Sequence, residues 1–153
     1  MTPASIAADL HAAIDAGLDM FQHVDETRTA GRPAAGGWCP REILGHLVDS
    51  ACNNHRRFVI GQGNGPLVFD GYDGDAWVER QRYAELPFRD ILALWSAYNR
   101  HLAHVIASAP EGTLAHSGAS PEGSGEVTLG FLMADYVVHL RHHLDQLRSR
   151  LVR

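Results

Sequence analysis

The segment HLRHHLDQL, residues 139–147, places three histidines within nine positions. On a helix advancing about 100° per residue, His139 and His143 lie one turn apart on one face, while His142 points away from both. Such a pair can hold one divalent ion from one side. Two imidazoles rarely close a site, so a third ligand has to come from another element. The bland alternative is a polar cluster on an exposed helix face.

Other chemistry-bearing residues are few. All 13 basic residues are arginine. The lack of lysine excludes Schiff-base chemistry, a pyridoxal-phosphate lysine and a Walker-type phosphate loop. Cys39 and Cys52 stand in neither redox nor zinc-ribbon spacing. There is no H-E-x-x-H, no C-x-x-C-H and no Glu-x-x-His pair of the di-iron bundle kind.

Four long segments show helical periodicity and none shows sustained strand alternation. The first runs from Pro3 to about Thr29, with Thr2 as cap and Pro3 at the first helical position. The second runs from Pro40 to about Ile60, where Glu42 follows Cys39 by three residues in a weak capping box. The third starts near Pro87 and ends at SAPEG; the fourth runs from Thr128 to Arg150. The stretch DAWVERQRYAEL, within the connection that ends at Leu86, predicts a further short helix. That connection exceeds the usual ~2–8 residues of an antiparallel helix pair, so it can span a bundle and let helices two and three run parallel. The expected fold is all-α: one four-helix-bundle domain over residues 1–153.

These elements narrow the search for the third ligand. On the fourth helix Leu129, Met133, Tyr136, Leu140, Leu144 and Leu147 form the apolar stripe. His143 lies roughly 60° from its centre and His139 roughly 100°. Both flank the core, as ligands lining a cleft would. On the second helix the stripe is Ile43, Leu44, Leu47, Val48, Ala51 and Phe58, with His46 on its polar margin beside Glu42, Asp49 and Asn53. At about 1.5 Å per residue, His46 lies about 10 Å from the start of its helix and His143 about 10 Å from the end of its own. If helices two and four are antiparallel, His46, His139 and His143 come to one level. His104 points away from the third helix's stripe, so His101 and His104 read as solvated. The isolated His11, His23, His55 and His116 read as surface residues.

Trp38, Pro40, Glu42-Ile43-Leu44, His46-Leu47 and Asp49 resemble the first motif of the DinB/YfiT-like superfamily. The stretch from His139 through His142-His143 to Gln146 resembles its second, and FDGYDGDAW resembles its connection. The resemblance implies an up-down-down-up four-helix bundle with a long connection between helices two and three, often a homodimer. It also implies a divalent metal (zinc, nickel, iron or manganese) on His46, His139 and His143. Characterised members attach low-molecular-weight thiols such as bacillithiol or mycothiol to electrophiles, and others are assigned as hydrolases. Cys39 stands where relatives carry Ser or Thr, which bears on capping rather than chemistry.

The expected function is a metal-dependent enzyme acting on small molecules, by thiol transfer or by hydrolysis with metal-bound water. A non-catalytic metal- or ligand-binding bundle of a stress response is the rival, and a haem-binding bundle is more distant. Glu42 and Asp135 are the candidate catalytic carboxylates. Glu42 fits its capping role better, and Asp135 could orient a ligand or pair with an arginine. Gln146 is a candidate for the cleft, Trp38 and Trp95 for the core, and Cys52 is a poor nucleophile. Metal affinity should fall as the histidines protonate near their ordinary pKa of about 6.5.

The net charge of −5 offers no basic stripe for nucleic acid. Acids and a histidine interrupt the N-terminal apolar run, against a signal peptide, and no stretch approaches the ~20 apolar residues of a membrane span. The cytoplasm is the expected compartment.

Overall fold

Thr2 and Ser5 start the first helix by a reciprocal exchange. Ser5 N–H donates to Thr2 Oγ1 at 3.1 Å and Thr2 N–H to Ser5 Oγ at 3.0 Å, with Pro3 in the first turn. In this computed structural model, which describes residues 1–64, 67–120, 123 and 125–151, the helix so begun (α1) covers Pro3–Phe21. It stops short of the expected Thr29. Asp25 accepts the Thr27 N–H at 2.9 Å and starts a separate 3-10 turn, Glu26–Arg28. Such a short-range side-chain bond offers the backbone an alternative to the helix.

Helix α2 covers Pro40–Gly61, and the expected capping box forms, with Cys39 N–H donating to Glu42 Oε2 at 2.9 Å. The short helix of the connection, α3, covers Gly74–Gln81. Arg82 ends it in the left-handed region at φ 55°, and a 3-10 turn, Tyr83–Glu85, follows. Helix α4 covers Phe88–Ala107. Its free N-terminal amides at Phe88 and Arg89 donate to the Glu26 carboxylate at 2.9 Å each, so a residue far back in the chain caps it. Helix α5 covers Leu129–Leu151.

A small sheet accompanies the helices. Strands β1 (Leu67–Val68), β2 (Ser117–Ala119) and β3 (Glu126–Thr128) lie in that order, β1 parallel and β3 antiparallel to β2. Strands of two or three residues cannot show sustained alternation.

The bundle is up-down-down-up. Gly61, at the end of α2, packs on Leu129 at the start of α5, while Trp38, just before α2, stands 6.5 Å from the His143 ring. These two helices are therefore antiparallel. Arg41 near the start of α2 donates to Ala84 O just before α4, and His55 and His101 meet farther along, so α2 and α4 are parallel. Helix α1 runs against α4, through Asp15–Arg100 and Gly17–Trp95, and alongside α5, through Asp9–Arg141 and Gly17–Leu144. All the apolar residues expected to form the stripes of α2 and α5 are buried, around a fully enclosed Trp95.

Helix α2 is buried on more than its stripe: Glu42 through Ala51 are all buried. The connection folds over its outer face, with the Tyr83 ring so close to Gly45 that a Cβ there would lie 2.1 Å from Cδ2. Tyr83 OH donates to Asp49 Oδ1 at 2.6 Å. Among the described residues no helix is long and apolar enough to cross a membrane.

Candidate metal centre

Antiparallel packing of α2 and α5 brings His46 level with the pair on α5. The ring centroids lie 5.4 Å apart for His46–His139, 4.7 Å for His46–His143 and 4.5 Å for His139–His143. One ring nitrogen of each lies within 4.8 Å of the other two. His142 is exposed.

Burial sets the electrostatics. Desolvation, reinforced by the neighbouring imidazoles, pushes His46 down to about 3 and His139 to about 4. It also lowers His143, against the opposing effect of the hydrogen bond His143 donates to Gln146. The rings therefore stay neutral well below the ordinary histidine value, and the onset of proton competition expected near 6.5 moves lower. Neutral rings keep the lone pairs a metal needs.

Gln146 fixes one of those lone pairs. Its Oε1 lies 2.9 Å from His143 Nδ1. An amide oxygen only accepts, so Nδ1 carries the hydrogen and Nε2 is left with the lone pair. His46 Nδ1 and His139 Nε2 are buried without a hydrogen-bond partner among the described residues. Leaving a buried polar atom unpaired costs about 1–3 kcal/mol. Orphaned ring nitrogens in an all-imidazole donor set fit a divalent ion with open coordination positions.

Trp38 packs against the core, as expected, and also faces the site. It is half-buried, its ring 4.8 Å from that of His46, and walls the site together with Tyr72, which stacks at 6.5 Å from His46. Glu42 is committed to the start of its helix, where Cys39 N–H and the Arg32 guanidinium engage both its oxygens. Burial raises its pKa, but those partners outweigh it and hold the carboxyl below its ordinary value. Asp135 is exposed, and no hydrogen bond joins it to a site histidine among the described residues.

Asp135 instead lines a cavity of about 510 Å³ beside His139, with Ser50, Asn54, Arg57 and Tyr72. Sequence reasoning missed the three polar residues of α2 in that lining. The signal was present, because they follow His46 by four, eight and eleven positions and share its face of the helix. Of the other histidines, His11, His23, His101 and His104 are exposed as expected. His55 and His116 are half-buried instead: their Nδ1 atoms lie 3.2 Å from Tyr98 OH and 3.0 Å from Gly61 O.

The family profile of the DinB superfamily matches residues 9–147. The chain belongs to the DinB superfamily. DinB relatives include a protein of Oceanobacillus iheyensis, 28% identical over 115 residues that cover 75% of this chain and 66% of that protein. A second, from Bacillus mycoides, is 29% identical over 119 residues, covering 76% and 68%. Both are named "Putative metal-dependent hydrolase". The chain spans about two thirds of the length of these relatives. Among solved structures, YfiT from Bacillus subtilis, described as a probable metal-dependent hydrolase with an unusual four-helix bundle topology, matches with a TM-score of 0.83. The match is 20% identical and covers 97% of this chain and 86% of that one, a likeness of fold.

Proposed function

We propose that the chain is a divalent-metal-dependent enzyme acting on small molecules, with His46, His139 and His143 as the ligands. The observation that carries this reading is the convergence of three neutral imidazoles, one nitrogen of each within 4.8 Å of the others, beside a cavity. A divalent ion held there by the three imidazoles would supply the positive charge that lowers the pKa of water toward neutrality and that of a thiol below it.

The chain's own residues do the rest. Gln146 holds His143 in the tautomer that offers Nε2. Trp38 and Tyr72 shield the imidazoles and hold the His46 ring in place. Asp135, in the cavity lining one turn from His139, is the carboxylate we assign as proton acceptor; Glu42 has both oxygens engaged elsewhere. Imidazole donors favour zinc, nickel or iron over manganese. Hydrolysis is the outcome that the names of the relatives support. Transfer of a low-molecular-weight thiol uses the same site with a thiol in place of water.

The test is metal content of untagged protein beside a His139→Ala/His143→Ala variant, each checked for helicity. About one ion per chain, lost in a still-helical variant, supports the site; a screen of esters, amides and thiol–electrophile pairs then distinguishes hydrolysis from transfer. Metal without turnover in any pair would make it a binding protein. No metal after addition of zinc, nickel, iron or manganese would sink the proposal.

A further inference from the structure

The lining of the cavity beside the histidines carries both signs of charge. His139 and Asp135 stand on α5, and Arg57 stands on α2, eleven residues beyond His46 and so about 16 Å farther along that helix. Arg57 is 8% exposed. A guanidinium buried this deeply is normally matched by a carboxylate. Among the described residues Arg57 has no such partner, and Asp70, whose backbone carbonyl it touches, turns its side chain to Arg56.

What Arg57 does touch is neutral. Its Nε and Nη2 both donate to the backbone carbonyl of Asp70, at 3.2 and 2.6 Å, and Nη1 donates to Asn54 Oδ1 at 3.2 Å. A guanidinium has five N–H groups. One on each η nitrogen is left without an acceptor among the described residues. Because Nε and Nη2 fork onto one oxygen, the second N–H of Nη2 points the other way, toward the edge it shares with Nη1. Asn54 is held in turn, its Nδ2 donating to Ser50 O at 2.9 Å, so the guanidinium is fixed. Burial lowers the Arg57 pKa, and the nearby Asp70 carboxylate opposes this only in part.

We propose that Arg57 binds the carboxylate of a small-molecule ligand that lies along the cavity with its other end at His139. Two free N–H groups on one rigid, planar guanidinium suit the oxygens of a carboxylate. Among the described residues the cavity lining holds no second arginine, so a monoanion is better matched than a phosphate dianion. Asp135, one turn from His139 in the same lining, disfavours a second carboxylate beside it, which leaves Arg57 as the anion's seat. That the far end is the reacting end rests on the metal-dependent function proposed above; the anion site does not.

The probes are a series of phenylalkanoates, phenylacetate to phenylhexanoate, each beside its amide, which has the same shape without the charge. Binding to the metal-free protein is measured by titration calorimetry and by amide NMR shifts. At least one carboxylate should bind about tenfold or more tighter than its amide, as expected for a charge-assisted bond. That preference should persist in the His139→Ala/His143→Ala variant, which has no metal site, and fall to near unity in Arg57→Gln. Asn54→Asp is the second variant, in case Arg57→Gln fails to fold. It places a carboxylate on Nη1 while Arg57 stays in place, and it should abolish the preference while leaving amide binding. Equal binding of acid and amide, no binding by any member of the series, or a preference that survives both α2 variants would overturn the proposal. Loss of metal binding or turnover would leave the carboxylate preference intact, so the two failures are distinguishable.

Discussion

His143 Nδ1 and Gln146 Oε1 lie 2.9 Å apart, one turn from each other on α5, and this bond determines which nitrogen His143 presents to the site. Removing it by Gln146→Leu frees the ring to rotate and to take the other tautomer. Metal affinity should fall about 10–100-fold, as is usual when a ligand's supporting hydrogen bond is lost. Competition against a chromophoric chelator measures it, and circular dichroism should be unchanged. Unaltered affinity would show that the bond does not orient His143.

Trp38 makes the site visible. Its ring lies 4.8 Å from that of His46, whereas Trp95 is enclosed in the core. Adding zinc should change the intrinsic fluorescence, and Trp38→Phe should abolish most of that change while metal content stays the same. A signal that persists in the variant would have to come from another tryptophan.

Asp49 gives the protein a pH dependence of its own. Oδ1 accepts from Tyr83 and Gln81, Oδ2 is buried without a partner, and burial pushes the carboxyl up to about 6 from 3.8. Between those values the folded chain holds a proton that the unfolded chain has released. The contribution is present at low pH and is lost as pH rises through about 6. Asp49→Asn keeps an oxygen for Tyr83 and removes the charge, so it should stabilise the protein by about 1–2 kcal/mol above pH 6 and make no comparable difference near pH 4. Thermal unfolding across that range is the measurement, and a variant less stable at neutral pH would refute the account.

Gly45 is where the connection seats on α2. In Gly45→Ala the new methyl would lie 2.1 Å from the Tyr83 ring, which has to move and carries its bond to Asp49 with it. We expect a loss of about 1–3 kcal/mol, as for other overpacked core sites, read from chemical denaturation. No loss would mean that the ring is free to withdraw.

The histidine triad was legible in the sequence because it depends on two regular quantities, the turn of a helix and its rise. The same quantities put Ser50, Asn54 and Arg57 on the face of His46, but nothing local distinguishes a polar residue facing a cavity from one facing solvent. Trp38 packs on the core as its size suggests, and only the folded chain shows that it also covers His46. The burial of Asp49 follows from residues 72–83 folding back over α2, a tertiary event without a local periodic signature. The end of α1 turned on one competing hydrogen bond at Asp25.

His46 and His139 belong to adjacent antiparallel helices yet stand 93 positions apart in the chain. An ion shared between them is a reversible cross-link closing a loop of that length, and the entropy it removes from the unfolded chain grows with the logarithm of the loop. Metal supply would then set how long the folded chain survives in the presence of a protease as well as what it can catalyse.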